Sequence, residues 1–221
     1  MLENLEKIIL ASSSSRRLNL LKELGLKNIE TINHSIDEQS FIDVKNIQKS
    51  VKIIAYQKAL DVKNKIKRNN KSFTVIAGDT IVYRGGTLFH KASSAEMVRK
   101  YLETLSSRKH FVYGGICIIS NKGEVFRRLI TTEVYFEKLN KSDLTQDILN
   151  EGIGKSGGYA IQGLSSKFIK KIKGSYTNVV GISIPEVYKI LKVIWFISLS
   201  LCWVIIINYK CPGSSVGRAS D

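Results

Sequence analysis

Short apolar runs alternate with helical stripes along the first half of the chain, and glycine or serine clusters separate them. Lys7 to Ala11 (KIILA) is a compact apolar run of the kind that forms a buried strand. Four serines follow, then RRLNLLKELG, where Leu18, Leu21 and Leu24 make a helical stripe that stops at Gly25. This predicts strand, serine-rich turn, helix. Residues 28–34 predict a second strand. Over residues 46–66, Ile47, Val51, Ile54, Ala55 and Val62 fall on one helical face. FTVIAGDTIVY (73–83) predicts a buried strand interrupted by Gly78 and Asp79. Residues 93–105 predict a helix, FVYGGICII and VFRRLITTEVYF two long strands, and Asp143 to Glu151 another helix. GIGKSGGYAIQG (152–163) predicts a glycine-rich loop. Strands that alternate with helices early and pair with each other later imply an α/β fold, with a mixed sheet and flanking helices.

The chain has 221 residues, enough to bury a substantial core, and its 43% hydrophobic and 24% charged content is that of a globular protein rather than a disordered or multispanning one. Its two prolines, Pro185 and Pro212, lie late, and no linker-like stretch divides the middle. One domain over residues 1–192 is expected, followed by an extension over 193–221. The net charge of +15 suits a nucleic acid, an anionic membrane surface or a polyphosphate substrate. It equally suits a Lys-, Ile- and Asn-rich composition from an A/T-rich genome. The lysines are spread along the chain, so charge alone does not choose a partner. Cys117, Cys202 and Cys211 have no CxxC spacing, and Met1 to Lys7 does not read as a signal peptide. A reducing cytoplasm is expected.

Three places carry candidate chemistry. In Ser12-Ser13-Ser14-Ser15-Arg16-Arg17, a strand ends in hydroxyl residues and opens into a helix, whose first N–H groups and dipole favour an anion. Two arginines in that first turn oppose the dipole; they are either solvated or forked onto phosphate oxygens. Asp79 lies inside an apolar strand, where an unpaired carboxylate costs several kcal/mol, on the order of what a metal or a proton-transfer role would justify. Lys58 continues the 47, 51, 54, 58, 62 series onto the apolar face of its helix, so it either snorkels outward or points into a polar pocket. Asp37-Glu38 offers a further carboxylate and Lys91 a further cation. GIGKS lacks the first glycine of a P-loop, because Leu149 stands there. His34, His90 and His110 have no metal-site spacing, and no GxSxG elbow is present.

The ordered set LASSSSRR, IDE, AYQKA, AGDT, HKA, YLETLSSRKHFVYGG and GKSGGYAIQGLSSKFIKKIKGSYTNVVGI resembles the Maf family from about Lys7 to Lys192. The resemblance implies a nucleoside triphosphate pyrophosphatase with two lobes around a central cleft, similar to inosine triphosphatases, and a homodimer. By position, Asp79 matches the family's proton acceptor. Ser12, Arg16, Arg17, Glu38, Lys58, Lys91 and Gln162 match cleft residues. Arg17, Thr80 and Gln162 match the positions linked to base preference, and read as in the branch that prefers dTTP and UTP. The branch acting on 7-methyl-GTP has a Trp in the opening motif and a Glu in place of the Gln. The implied mechanism uses Mg²⁺ or Mn²⁺, held by phosphate oxygens with Glu38 and Asp79. Asp79 would take a proton from the attacking water, and Arg16, Arg17, Lys58 and Lys91 would stabilise the leaving pyrophosphate. Gln162 would pair with the uracil or thymine edge. Two departures stand out. Ser15 and Ala92 replace family prolines, which implies less rigid loops.

The resemblance ends near Lys192. The run Val193 to Ile207 carries no charge but is short for a membrane span, and PGSSVGRASD resembles a translated tRNA gene. A read-through extension is expected, with a membrane anchor as the alternative. A non-catalytic cell-division regulator or nucleic-acid-binding protein is the competing function. No helix-turn-helix or aromatic-interleaved basic patch stands out, so no nucleic acid partner is expected.

Overall fold

The computed structural model describes residues 7–66, 73–120 and 122–195. The predicted read-through or anchor segment lies outside the described residues from position 196 onward. In chain order the elements are β1 (Lys7–Leu10), α1 (Ser15–Glu23), β2 (Ile29–Thr31), α2 (Ile47–Lys65), β3 (Phe73–Arg84) and β4 (Thr87–Phe89). There follow α3 (Ala95–Leu105), β5 (Lys109–Ser120), β6 (Val125–Phe136), α4 (Gln146–Gly152), β7 (Ile169–Lys173), α5 (Tyr176–Val180) and α6 (184–195).

The fold is α/β with a mixed sheet, as the alternation of patterns implied. The strands form one seven-stranded sheet in the order β2-β1-β3-β5-β6-β7, with β4 pairing β3. β1 runs parallel to β2 and β3, and the other pairings are antiparallel. Side chains alternate across the sheet. Ile9, Val75, Ala77, Cys117 and Ile119 face α2, where Ala55, Ala59 and Val62 receive them. Ile8, Leu10, Ile76, Ile116 and Ile118 face the other way, onto α1 and α6. Leu191 and Ile194 of α6 are buried in that second core, so the packed unit extends past residue 192. No helix among the described residues is long and apolar enough to cross a membrane.

β3 is not interrupted at Gly78 and Asp79. It continues through them because β5 pairs with it from Thr74 to Tyr83. Its other edge is shared. β1 covers 73–76 and β4 covers 82–84, leaving residues 77–81 without a strand partner there among the described residues. This gap in the sheet is where the cleft opens.

Candidate functional site

Two consecutive glycines of β5 bring the walls of the cleft together. Gly115 lies opposite Asp79 and Gly114 opposite Thr80. A Cβ on Gly115 would stand 2.2 Å from the Val51 carbonyl oxygen, so its absence lets α2 descend onto the sheet. A Cβ on Gly114, on the opposite face, would stand 1.7 Å from Asn178 Oδ1. Asn178 takes that space and donates from Nδ2 to Val112 O and Thr132 Oγ1, both at 3.1 Å. It thereby anchors α5, which ends at Gly181.

On the α2 face, Lys58 is 3% exposed and Asp79 6% exposed. The Lys58 ammonium bridges two carboxylates, donating to Asp79 Oδ1 at 2.7 Å and reaching Glu38 Oε1 at 2.8 Å. Burial of this kind is tolerated only with such partners. Lys58 therefore points into a polar pocket and does not snorkel. His34 Nε2 lies 3.4 Å from Glu38 Oε1. Burial and then the Lys58 charge hold the His34 imidazole below its ordinary pKa. Burial works to raise the pKa of Glu38, but Lys58, with smaller help from Lys91 and His34, outweighs it, so Glu38 sits below the usual carboxylate range and is ionised at neutral pH.

On the opposite face Arg17 is tied down rather than open to solvent. It donates Nε to Gly181 O at 2.9 Å, Nη1 to Ser12 Oγ at 3.1 Å and Nη2 to Thr80 Oγ1 at 3.4 Å. Thr80 Oγ1 in turn donates to Gly181 O at 3.1 Å. Three chain segments are thus stapled by one guanidinium, whose pKa burial lowers while Asp79 and Glu38 pull it back up. Arg16 has no hydrogen bond or ion pair among the described residues. It lines the cleft at the first turn of α1, which Ser14 caps by accepting from Arg17 N at 3.4 Å.

These groups border one cleft of about 620 Å³. Of the positions expected from sequence, Ser12, Arg16, Arg17, Glu38, Lys58, Asp79, Thr80 and Lys91 all line it. Asp37 does not; it is exposed, and its Oδ1 accepts from Gln39 N at 3.0 Å in a turn. Gln162 does not either. It is exposed in the turn after the buried Ile161, which belongs to the α1–α6 core. Also lining the cleft are Tyr159 and Gly181, which no sequence motif singles out, and His34, Lys155 and Ser156, which the sequence offers only as failed metal and P-loop candidates. Tyr159 Oη meets the fully buried His110 Nε2 at 2.8 Å. Burial pushes His110 down to about 3 and raises Tyr159, so this pair beneath the cleft stays neutral.

The protein groups that could hold a metal here are few. Among the described residues no three His, Cys, Asp or Glu side chains cluster to hold an ion. Glu38 and Asp79 do converge, both within reach of one cation, Lys58. One or two carboxylates completed by substrate phosphates is the usual setting of Mg²⁺ at phosphate chemistry.

The family model of Maf-like proteins matches residues 7–194. A dTTP/UTP pyrophosphatase of Clostridium perfringens is 37% identical over 190 residues, covering 84% of this chain and 96% of that protein. A nucleoside triphosphate pyrophosphatase of Neorickettsia sennetsu is 38% identical over 185 residues, covering 83% of this chain and 86% of that protein. Among solved structures, a HAM1 protein from Coxiella burnetii aligns with a TM-score of 0.39 at 20% identity, covering 62% of this chain and 76% of that one. With the match running through both cores and every wall of the cleft, the chain belongs to the family of Maf-like proteins.

Proposed function

We propose that this protein is a nucleoside triphosphate pyrophosphatase that hydrolyses the bond between the α and β phosphates, acting on dTTP and UTP, as a homodimer. The observation that carries the reading is the chain Asp79–Lys58–Glu38 at the gap in the sheet, buried at Asp79 and Lys58 and half-buried at Glu38, lining one cleft with the unpaired Arg16. Carboxylates alone would repel a triphosphate. Arg16, Lys58 and Lys91 offset them, so the polyanion is accepted beside Asp79. Glu38 and Asp79 fit a divalent ion, Mg²⁺ or Mn²⁺, and such an ion would neutralise charge on the phosphates when bound.

Asp79 accepts the proton of the attacking water. Lys58 holds Asp79 Oδ1 in place and, with Arg16 and Lys91, stabilises the charge that gathers on the departing pyrophosphate. Arg17 acts as a scaffold, because each of its three nitrogens donates to the protein, and the second N–H of each Nη is left for the cleft that Arg17 lines. The dTTP/UTP preference is supported by the names of the relatives and by the Arg17–Thr80 pair in the cleft wall. The exposed placement of Gln162 gives that residue's role in base reading no support. The active unit is assigned to the residues through 195, which keeps Ile194 in its core.

The experiment is a panel of dTTP, UTP, the other common triphosphates and 7-methyl-GTP with Mg²⁺ or Mn²⁺, scored separately for pyrophosphate and orthophosphate. Pyrophosphate release, fastest from dTTP and UTP, is expected. Orthophosphate as the first product would overturn the reaction, and faster turnover of 7-methyl-GTP would overturn the base preference alone.

A further inference from the structure

The glycine-rich loop is not a P-loop and has no part in the chemistry described so far, yet Gly154, Lys155 and Ser156 line the cleft. The loop is sewn to the segment that carries Lys91. Gly154 N donates to Ala92 O at 2.8 Å, and Ala92 N donates to Lys155 O at 3.2 Å. Lys91 and Ser156 form an isolated antiparallel bridge. With the Ala92–Lys155 bond flanking that bridge, Lys91 and Ser156 are a non-hydrogen-bonded pair, the arrangement in which opposed side chains stand closest and on the same face.

The neighbouring Lys155 is used otherwise. Its ammonium caps the Glu151 carbonyl near the end of α4. The loop that follows is held in one shape. Gly157 and Gly158 adopt φ of +77° and +70°, a region that disfavours side chains, and Gly158 packs against Val98 and Tyr101. Ser156 Oγ, by contrast, has no hydrogen-bond partner among the described residues. It is a hydroxyl on a rigid loop, beside a lysine, facing a cleft. Lys91 also acts electrostatically on Glu38, which places this pair on the carboxylate side of the cleft.

We propose that Ser156 and Lys91 form a second phosphate-binding wall, across the cleft from the serine–arginine turn, and that Ser156 Oγ donates to an oxygen of the leaving pyrophosphate. This rests on the pyrophosphatase reading and adds a substrate-binding residue to it. The first wall offers Arg16 and the helix start at Ser14. The second offers one hydroxyl and one ammonium from two bridged loops. A triphosphate between them is held from both sides, so the pyrophosphate half is gripped by groups that do not touch the nucleoside.

The test is product inhibition on the full chain, with inorganic pyrophosphate and the nucleoside monophosphate as separate inhibitors. Ser156→Ala removes a hydroxyl with no internal partner, so the melting temperature should not move. Loss of one hydrogen bond to a charged group predicts about tenfold weaker inhibition by pyrophosphate. Inhibition by the monophosphate should be unchanged. Ser156→Asp, which sets a negative charge against the phosphates, should weaken pyrophosphate inhibition further. Lys155→Met is the control: it should lower the melting temperature through the lost α4 cap and leave both inhibition constants unchanged. Equal pyrophosphate inhibition in wild type, Ser156→Ala and Ser156→Asp would overturn the assignment, as would a matching loss of monophosphate inhibition. If the wild type released no pyrophosphate from any triphosphate, the pyrophosphatase reading itself would fail, an outcome distinct from either of these.

Discussion

Asp79 and Thr80 are neighbours on β3, but the strand's alternation sends them into two different kinds of site. On the α2 face Asp79 enters a charged chain with the buried Lys58 and the half-buried Glu38. On the α5 face Thr80 enters a staple of neutral acceptors around Arg17, with Gly181 O and Ser12 Oγ. The same device builds both. One glycine opposite each residue lets a helix approach, α2 over Gly115 and α5, through Asn178, over Gly114. The difference lies in what the charges are free to do. Lys58 and the carboxylates hold one another through one oxygen of each carboxylate and border the cleft, so the second oxygens can meet a substrate or ion. The Arg17 guanidinium has each of its three nitrogens tied to the protein, which fixes its position in the cleft wall. The first face is therefore suited to proton and charge transfer, and the second to holding the cleft's shape.

The largest effect should come from breaking the charged face at its base. Asp79→Asn preserves shape and still accepts from Lys58, which also keeps Glu38 as a partner, so the fold should survive. Turnover should fall by about 10²–10⁴-fold, the usual contribution of a general base. Steady-state pyrophosphate release with saturating dTTP and metal, beside a thermal melt, checks both halves. A variant retaining more than half the wild-type rate would remove Asp79 from the chemistry.

A smaller and different effect should follow on the other face. Thr80→Val is close in shape but deletes the hydroxyl that accepts from Arg17 and donates to Gly181. Leaving partly buried donors and acceptors unpaired costs roughly 1–3 kcal/mol. The melting temperature should drop, and the ratio of kcat/KM for dTTP over 7-methyl-GTP should narrow, while kcat for dTTP stays within about tenfold of wild type. If Thr80→Val instead matched Asp79→Asn in lost turnover with an unchanged melt, the division of labour between the faces would be wrong.

Much of this was legible in the chain because it depends on local periodicity. The 47, 51, 54, 58, 62 series puts Lys58 on the face that α2 buries, and Asp79 stands out by interrupting an apolar run. The strand's continuity through Gly78 was not legible, because it comes from pairing with β5 some forty residues on (Gly78↔Ile116). The Gly114-Gly115 pair is visible as letters, but its purpose needs the register Asp79↔Gly115. His34, Ser156 and Gly181 come from loops whose position is set by distant contacts, and no spacing rule brings them to one cleft. β4, β7 and α5 are three to five residues long, too short for a period to show. α6 was overlooked although Val187, Ile190, Leu191 and Ile194 carry a helical spacing. Gln162 has the right chemistry for a base edge, but its neighbour Ile161 is the residue that turns inward.

The smallest expected effect concerns the two positions where the family resemblance leads one to expect proline, and the structure separates them. Ser15 is the first residue of α1, directly after the Ser14 cap. At that position proline's fixed φ suits the helix, and its missing N–H is one the helix does not use. Ser15→Pro should raise stability by about 0.4–1 kcal/mol by restricting the unfolded chain. Ala92 is different, because its N–H donates to Lys155 O and helps sew the glycine-rich loop to the Lys91 segment. Ala92→Pro deletes that bond, which offsets the entropic gain by about 0.5–1.5 kcal/mol. Denaturant midpoints on the two variants read the contrast directly, upward for Ser15→Pro and level or downward for Ala92→Pro. The Ser15 change should leave kcat alone, since the α1 cap already fixes the turn that presents Arg16. A gain in stability at Ala92 equal to that at Ser15 would mean the bridge between the two loops contributes nothing, and the second wall of the cleft would lose its rigidity argument.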